Sequence, residues 1–266
     1  MAYGLGTYCY FWRNSSYAPA PLTVEQMLRD TRELGGDVFQ ICDYPLIETF
    51  DDARLAGIRA TADDLGIALE LGTRGIRRDH LATYLELAGK LGVTLVRSMM
   101  NSAEHRPDAA EATALLRESV PAYADRGVTL GLETYEQVPT DVLLGVVRAV
   151  DDPHLGIVLD PGNCVAALER PRDVVDATAP YVVNMHIKDF GFSRRDGWVG
   201  FTLAGRPLGE GLLDYTHMIE TVRPEQRRIN QIVEHWLPWQ DEGFEATARL
   251  EDQWTRHTIT TLQRSK

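Results

Sequence analysis

Short β-branched apolar runs alternate along the whole chain with longer stretches whose apolar positions recur at helical spacing. Residues 3–8, 38–41, 67–71, 94–99, 128–133, 155–160, 181–188 and 229–234 read as strands, because each run is brief, apolar and bounded by turn residues. Between them lie helical patterns, the first capped by Thr23 and carrying Val24, Met27, Leu28, Thr31 and Leu34 on one face. Further helices are expected over residues 51–65, 79–91, 107–126, 140–150, 171–179, 214–222 and 244–263, with Gly66, Gly92 and Gly127 as stops. Eight strand–helix units without an internal linker predict one (β/α)8 TIM barrel, a single domain over residues 1–266. The rival, an open doubly wound sheet, usually carries a glycine-rich phosphate turn after its first strand. The stretch Gly6-Thr-Tyr-Cys-Tyr-Phe-Trp12 is no such turn.

Four of the runs finish on a polar residue. Glu133, Asp160, His186 and Glu234 each fall late in their strand, where a barrel gathers its active site. The first three are one repeat apart: 27 residues separate Glu133 from Asp160, and 26 separate Asp160 from His186. The last step, 48 residues to Glu234, holds an insertion after strand 7, residues 190–211, read as an extended loop on the active-site face. One carboxylate at a strand end is commonly a helix cap. Three buried together repel one another unless a cation neutralises them. Three oxygen donors and one imidazole predict one divalent metal ion, Mn²⁺ foremost, with Mg²⁺, Co²⁺ and Zn²⁺ open.

A net charge of −12 disfavours a nucleic-acid partner. Three scattered cysteines make no disulfide framework. No basic, apolar leader opens the chain and no run of ~18 apolar residues occurs, so a cytoplasmic protein without a membrane span is expected.

Glu133 in G-L-E-T, Asp160 in V-L-D-P-G-N, His186 in N-M-H-I-K-D and Glu234 in I-V-E-H resemble the xylose-isomerase-like TIM barrels over essentially the whole chain. That family holds sugar isomerases and epimerases, inosose dehydratases, endonuclease IV and several lyases. The resemblance implies that all four residues bind the metal and that Glu133 and Glu234 move the substrate proton. Such chemistry is sound in itself: a cation beside a ketone stabilises the enediolate, and a nearby carboxylate acts as base. Many relatives carry a histidine three residues after the metal aspartate, where this chain has Asn163, a group that hydrogen-bonds but does not titrate. Too few further histidines remain for the three-metal cluster of endonuclease IV, which with the acidic charge argues against a nuclease.

Lys188, two residues past His186, shares its face, with Asp189 as an expected ion partner. Together with Arg194, Arg195 and Arg206 in the insertion, it suggests an anionic, carbohydrate-like small-molecule substrate. Arg97 is a further candidate contact, with Glu70 the expected salt-bridge partner, and Tyr8 and Trp12 are expected to wall the site. His235 alternates to the opposite side of its strand and reads as packing. One enolate serves two outcomes: the expected reaction is isomerisation or epimerisation of a keto sugar or sugar acid, and the alternative is a lyase reaction on a 3-oxo sugar derivative, by decarboxylation or elimination of an aglycone. A non-catalytic sugar-binding barrel is the remaining alternative, and a homo-oligomer stays open.

Overall fold

A computed structural model describes residues 2–264. Eight parallel strands close into a barrel: β1 (Tyr3–Gly6), β2 (Val38–Cys42), β3 (Ala68–Arg74), β4 (Leu95–Met99), β5 (Thr129–Glu133), β6 (Leu155–Leu159), β7 (Val182–Ile187) and β10 (Asn230–Val233), the last pairing with both β7 and β1. Helices cover the outside of the barrel and side chains fill its inside, so the strands are buried on both faces and need their near-continuous apolar sequences. The expected TIM barrel is the observed fold.

The helices follow their caps. α1 (Val24–Glu33) starts at Thr23, whose side chain and that of Gln26 form a reciprocal capping box. α2 (Asp52–Leu65) and α3 (Arg78–Leu91) end at Gly66 and Gly92, both left-handed, with φ of 66° and 69°. α4 (Ala109–Asp125), α5 (Thr140–Val150), a one-turn α6 (Pro161–Cys164), α7 (Pro171–Thr178), α8 (Tyr215–Val222), a one-turn α9 (Pro224–Arg227) and α10 (Phe244–Arg264) complete the outer layer.

Two expectations need correction. The first strand stops at Gly6, and Thr7–Tyr10 forms a 3₁₀ turn that swings Tyr8 over the barrel mouth. The insertion after β7 is not structureless: β8 (Asp189–Arg194) and β9 (Phe201–Arg206) pair as an antiparallel hairpin. Asp189 anchors its base, accepting N–H bonds from Phe190, Gly209, Gly211 and Leu213 at 2.8–3.0 Å. Gly211 is needed there for space, since a Cβ would run into the Asp189 carboxylate.

Candidate metal centre and active site

Each of the four expected ligands stands at the C-terminal end of its strand, and the closure of the barrel points all four at one place. Ligand atoms of Glu133, Asp160, His186 and Glu234 lie within 4.8 Å of one another, and all four residues are buried. His186 Nδ1 sits 3.4 Å from Glu133 Oε1, 3.6 Å from Asp160 Oδ2 and 3.5 Å from Glu234 Oε1. These separations exceed hydrogen-bond length. They match the edges, about 3.3–3.6 Å, of a tetrahedron whose corners are about 2.0–2.2 Å from a central ion. His186 Nδ1 and Glu234 Oε1 have no hydrogen-bond partner although both are buried. Unpartnered polar atoms at such spacing fit a divalent cation, and these four residues would hold it.

Burial lowers the basicity of His186, but Glu234 and Glu133 reverse this and raise its pKa to about 10 in the metal-free protein. Burial pushes Glu133 upward, while Arg97 and then His186 hold it below the ordinary range. Lys188 is likewise disfavoured by burial, and Asp160 and Glu234 more than compensate, so that it stays cationic.

Around the four lie the cations. Lys188 Nζ pairs with Asp160 Oδ2 at 2.6 Å and Glu234 Oε2 at 3.0 Å, not with Asp189, whose oxygens are spent on the hairpin. Its ammonium lies 4.7 Å from the Trp236 ring centre and 5.9 Å from that of Tyr8. Arg97, only 1% exposed, pairs with Glu133 Oε2 and with Asp43 Oδ1 at 3.3 Å, and donates to Thr73 O at 2.8 Å. The expected Arg97–Glu70 pair does not form. Glu70 instead accepts from Gln40, Asn184 and Asn230 deep in the barrel.

The remaining candidates divide. Asn163 donates through Nδ2 to Glu133 Oε1 at 2.8 Å, so it steadies a ligand and does not face open space. Tyr8 donates to Asp43 at 3.0 Å and accepts from Arg74 at 2.8 Å. It lines two clefts, one of about 750 Å³ between the β1 and β2 loops and one of about 420 Å³ walled by Trp12, Leu203, Ala204, Trp236 and Leu237. Trp12 holds its place by an indole N–H bond to Leu237 O at 2.8 Å. The structure does not bring Arg194 and Arg195 to the cluster: both are exposed on the hairpin, Arg194 against Trp198 and Phe201. Arg206 is half-buried and donates to Gly205 O. His235 packs against Trp254, and burial, with Arg13 and Lys188, lowers its pKa to about 3.

Sequence reasoning missed Asp43, Arg74 and the grouping of Gln40 and Asn184 with Glu70, which it had set against Arg97. A signal existed for the last. Asn184 precedes His186 by two residues and so shares its inward face, and Gln40 and Glu70 are polar interruptions of apolar strands.

A model of the xylose isomerase-like TIM barrel family matches residues 28–257. The chain belongs to that family. It is 57% identical over 262 residues to the 3-oxo-isoapionate decarboxylase of Pectobacterium atrosepticum, covering 98% of this chain and 95% of that protein. Among solved structures it resembles D-psicose 3-epimerase crystallised with D-fructose, at a TM-score of 0.74 and 15% identity, over 100% of this chain and 98% of that one. It also resembles the IOLI protein with a bound zinc atom, at a TM-score of 0.72 and 17% identity, over 98% and 97%. Likeness at such identity speaks for the fold. The family, the near relative and the buried cluster make this chain an enzyme of the metal-dependent sugar isomerase, epimerase or lyase kind.

Proposed function

We propose that the protein is a divalent-metal-dependent decarboxylase of a 3-oxo sugar acid. The observation that carries this is the buried ion pair between Arg97 and Glu133. An epimerase removes a proton from one face of a carbon and returns one to the other, so it needs two free bases. Here one oxygen of Glu133 is bound to Arg97, a cation that does not give up its proton, and the other accepts from Asn163, so Glu133 is held as a charged ligand. Decarboxylation needs less. The bond between the carboxyl carbon and its neighbour breaks, its electron pair enters the enolate, and one proton must reach the carbon after CO₂ departs. Glu234, whose Oε2 faces the Lys188 ammonium while Oε1 faces the ion site, delivers that proton, drawn from water.

A bound divalent ion would supply positive charge to the enolate oxygen. Three carboxylates and one imidazole favour manganese, with magnesium, cobalt and zinc as alternatives. Lys188 orients the anionic substrate and keeps Glu234 in place, and the apolar cleft beside Trp236 receives the group that becomes CO₂. Tyr8 and Trp12 wall the substrate, while Arg97 and Asn163 act on Glu133. The relative's name supports a small carbohydrate acid as substrate. Three buried free cysteines and the absence, among the described residues, of a helix long and apolar enough to cross a membrane fit the reading of a cytoplasmic protein.

The test is incubation of the manganese-loaded enzyme with 3-oxo-isoapionate in D₂O. Release of CO₂ with one deuteron incorporated stereospecifically is expected, and Glu234→Gln should abolish both. Epimerisation of keto sugars without CO₂ release would overturn the proposal.

A further inference from the structure

Beneath the metal centre, four strands contribute one polar chain to an otherwise apolar interior. His186 Nε2 lies 3.0 Å from Gln40 Oε1, and Gln40 Nε2 donates to Glu70 Oε2 at 3.1 Å. Asn184 Nδ2 reaches both Glu70 oxygens, at 3.1 and 2.9 Å, and Asn230 Nδ2 reaches Oε1 at 2.8 Å. Glu70 is 3% exposed, and neither oxygen is left over. Burial raises the Glu70 pKa, and the amides of Asn230, Gln40 and Asn184 oppose that rise; with three amide donors and no acceptor for an acid proton beside it, the geometry is the one an ionised carboxylate uses in full.

An ionised carboxylate can only accept. Each neighbouring amide must therefore turn its NH₂ toward Glu70, and that fixes the other end of Gln40 as a carbonyl. A carbonyl at 3.0 Å from His186 Nε2 requires the hydrogen on Nε2. In the neutral ring that would bind an ion, the lone pair then belongs to Nδ1, the atom that stands 3.4–3.6 Å from three carboxylate oxygens. We propose that Glu70 is a positioning residue which, acting through Gln40, sets the tautomer of His186 so that Nδ1 is always the metal-binding nitrogen. The role rests on the metal centre and is independent of whether the substrate loses CO₂.

Replacing Glu70 by glutamine keeps the shape and removes the constraint. The amide then standing in place of the carboxylate can offer its NH₂ to Gln40, which is free to rotate and present its own NH₂ to His186 Nε2. The hydrogen moves to Nδ1 and opposes the ion. Outer hydrogen-bond partners of this kind carry about 10–100-fold in metal affinity. Glu70→Gln should weaken Mn²⁺ binding, measured by calorimetry at pH 8, by that factor with the melting curve still cooperative. The exchanged pair Gln40→Glu/Glu70→Gln puts a carboxylate directly on His186 Nε2–H and should return the affinity to within about threefold of the wild type. Recovery in the exchanged pair separates tautomer control from loss of packing, which the second substitution would not repair.

A second measurement needs no variant. In the wild-type protein loaded with diamagnetic Zn²⁺, long-range ¹H–¹⁵N spectra should show the His186 proton on Nε2. A proton on Nδ1 there, unchanged Mn²⁺ affinity in Glu70→Gln, or a folded exchanged pair that fails to recover would each overturn the proposal. Since none of these readouts is catalytic, a failed decarboxylation assay leaves the outcome unaffected, and the reverse holds as well.

Discussion

Arg97→Met removes the one cation that Glu133 and Asp43 share, at a site where water cannot replace it. Arg97 is 1% exposed and pairs with both carboxylates. Deleting one partner of a buried ion pair costs up to about 3–5 kcal/mol, and Arg74 beside Asp43 and His186 beside Glu133 hold the loss to the lower part of that range. In a domain of this size each kcal/mol shifts the melting temperature by about 2–4 °C, so a fall in the lower part of roughly 6–20 °C is expected in metal-free protein at pH 7.5. The pH dependence carries a further signature. Burial pushes Asp43 upward, but Arg97 and then Arg74 bring it below its ordinary 3.8. A carboxylate whose folded pKa is depressed contributes stability above its unfolded value and loses it as the pH falls. The gap between wild type and Arg97→Met should therefore narrow as the pH drops below about 4, where the unfolded chain takes up the proton first. Differential scanning calorimetry of both proteins in chelator, from pH 3 to 8, measures this. A gap under 2 °C at pH 7.5, or one that stays constant into acid, would refute the assignment of Arg97 as their shared counter-ion. Saturating manganese should recover part of the loss, since the ion offers Glu133 a second positive neighbour.

Three further outcomes follow from the same geometry. Lys188→Met strips the ammonium from between Asp160 and Glu234 and should lower kcat by about 10²–10³, comparable to the loss of a preorganised electrostatic contact, with circular dichroism unchanged. Gly211→Ala drives a Cβ into the Asp189 carboxylate and the Phe190 carbonyl, so the hairpin base should open, seen as faster protease cleavage between residues 189 and 211 and a loss of about 1–3 kcal/mol. Manganese at a hundred times its Kd should stabilise the metal-free protein by about 2.7 kcal/mol, a rise of roughly 5–10 °C in melting temperature, and Asp160→Ala should abolish that rise.

The barrel was legible because its information is local. Apolar runs, the Thr23 cap and glycine stops each act within a few residues, and helices such as Thr140–Val150 fall where their pattern ends. The clustering of Glu133, Asp160, His186 and Glu234 was legible because one repeat of sequence is one step around the barrel. The partners of the cations were not. Lys188 neighbours Asp189 in sequence, yet the anions that hold it lie 28 and 46 residues away on adjacent strands. Hairpin formation in the insertion was also hidden, since its strands run Phe-Gly-Phe-Ser and Thr-Leu-Ala-Gly, with no tight two-residue turn to mark them.

The partner of Arg97 differs from the expected Glu70, and strand register gives the reason. Strand register sets Arg97 opposite Gly72 of β3 and Gly131 of β5, two positions without side chains, so its guanidinium can rise toward the mouth and reach Glu133, while Glu70 lies one inward layer deeper. Had Arg97 paired with Glu70, Glu133 would have kept a free oxygen opposite Glu234, and a carbon held between them could have lost a proton on one face and gained one on the other. Under the proposed reaction, Arg97 on Glu133 leaves proton traffic to Glu234, which suits a reaction that breaks a carbon–carbon bond and needs a proton only afterwards. Glu70, released from that pairing, is the carboxylate that orders the amides under His186. A single arginine thus separates the surroundings of two buried glutamates: Glu133 meets a guanidinium, and Glu70 meets only amides.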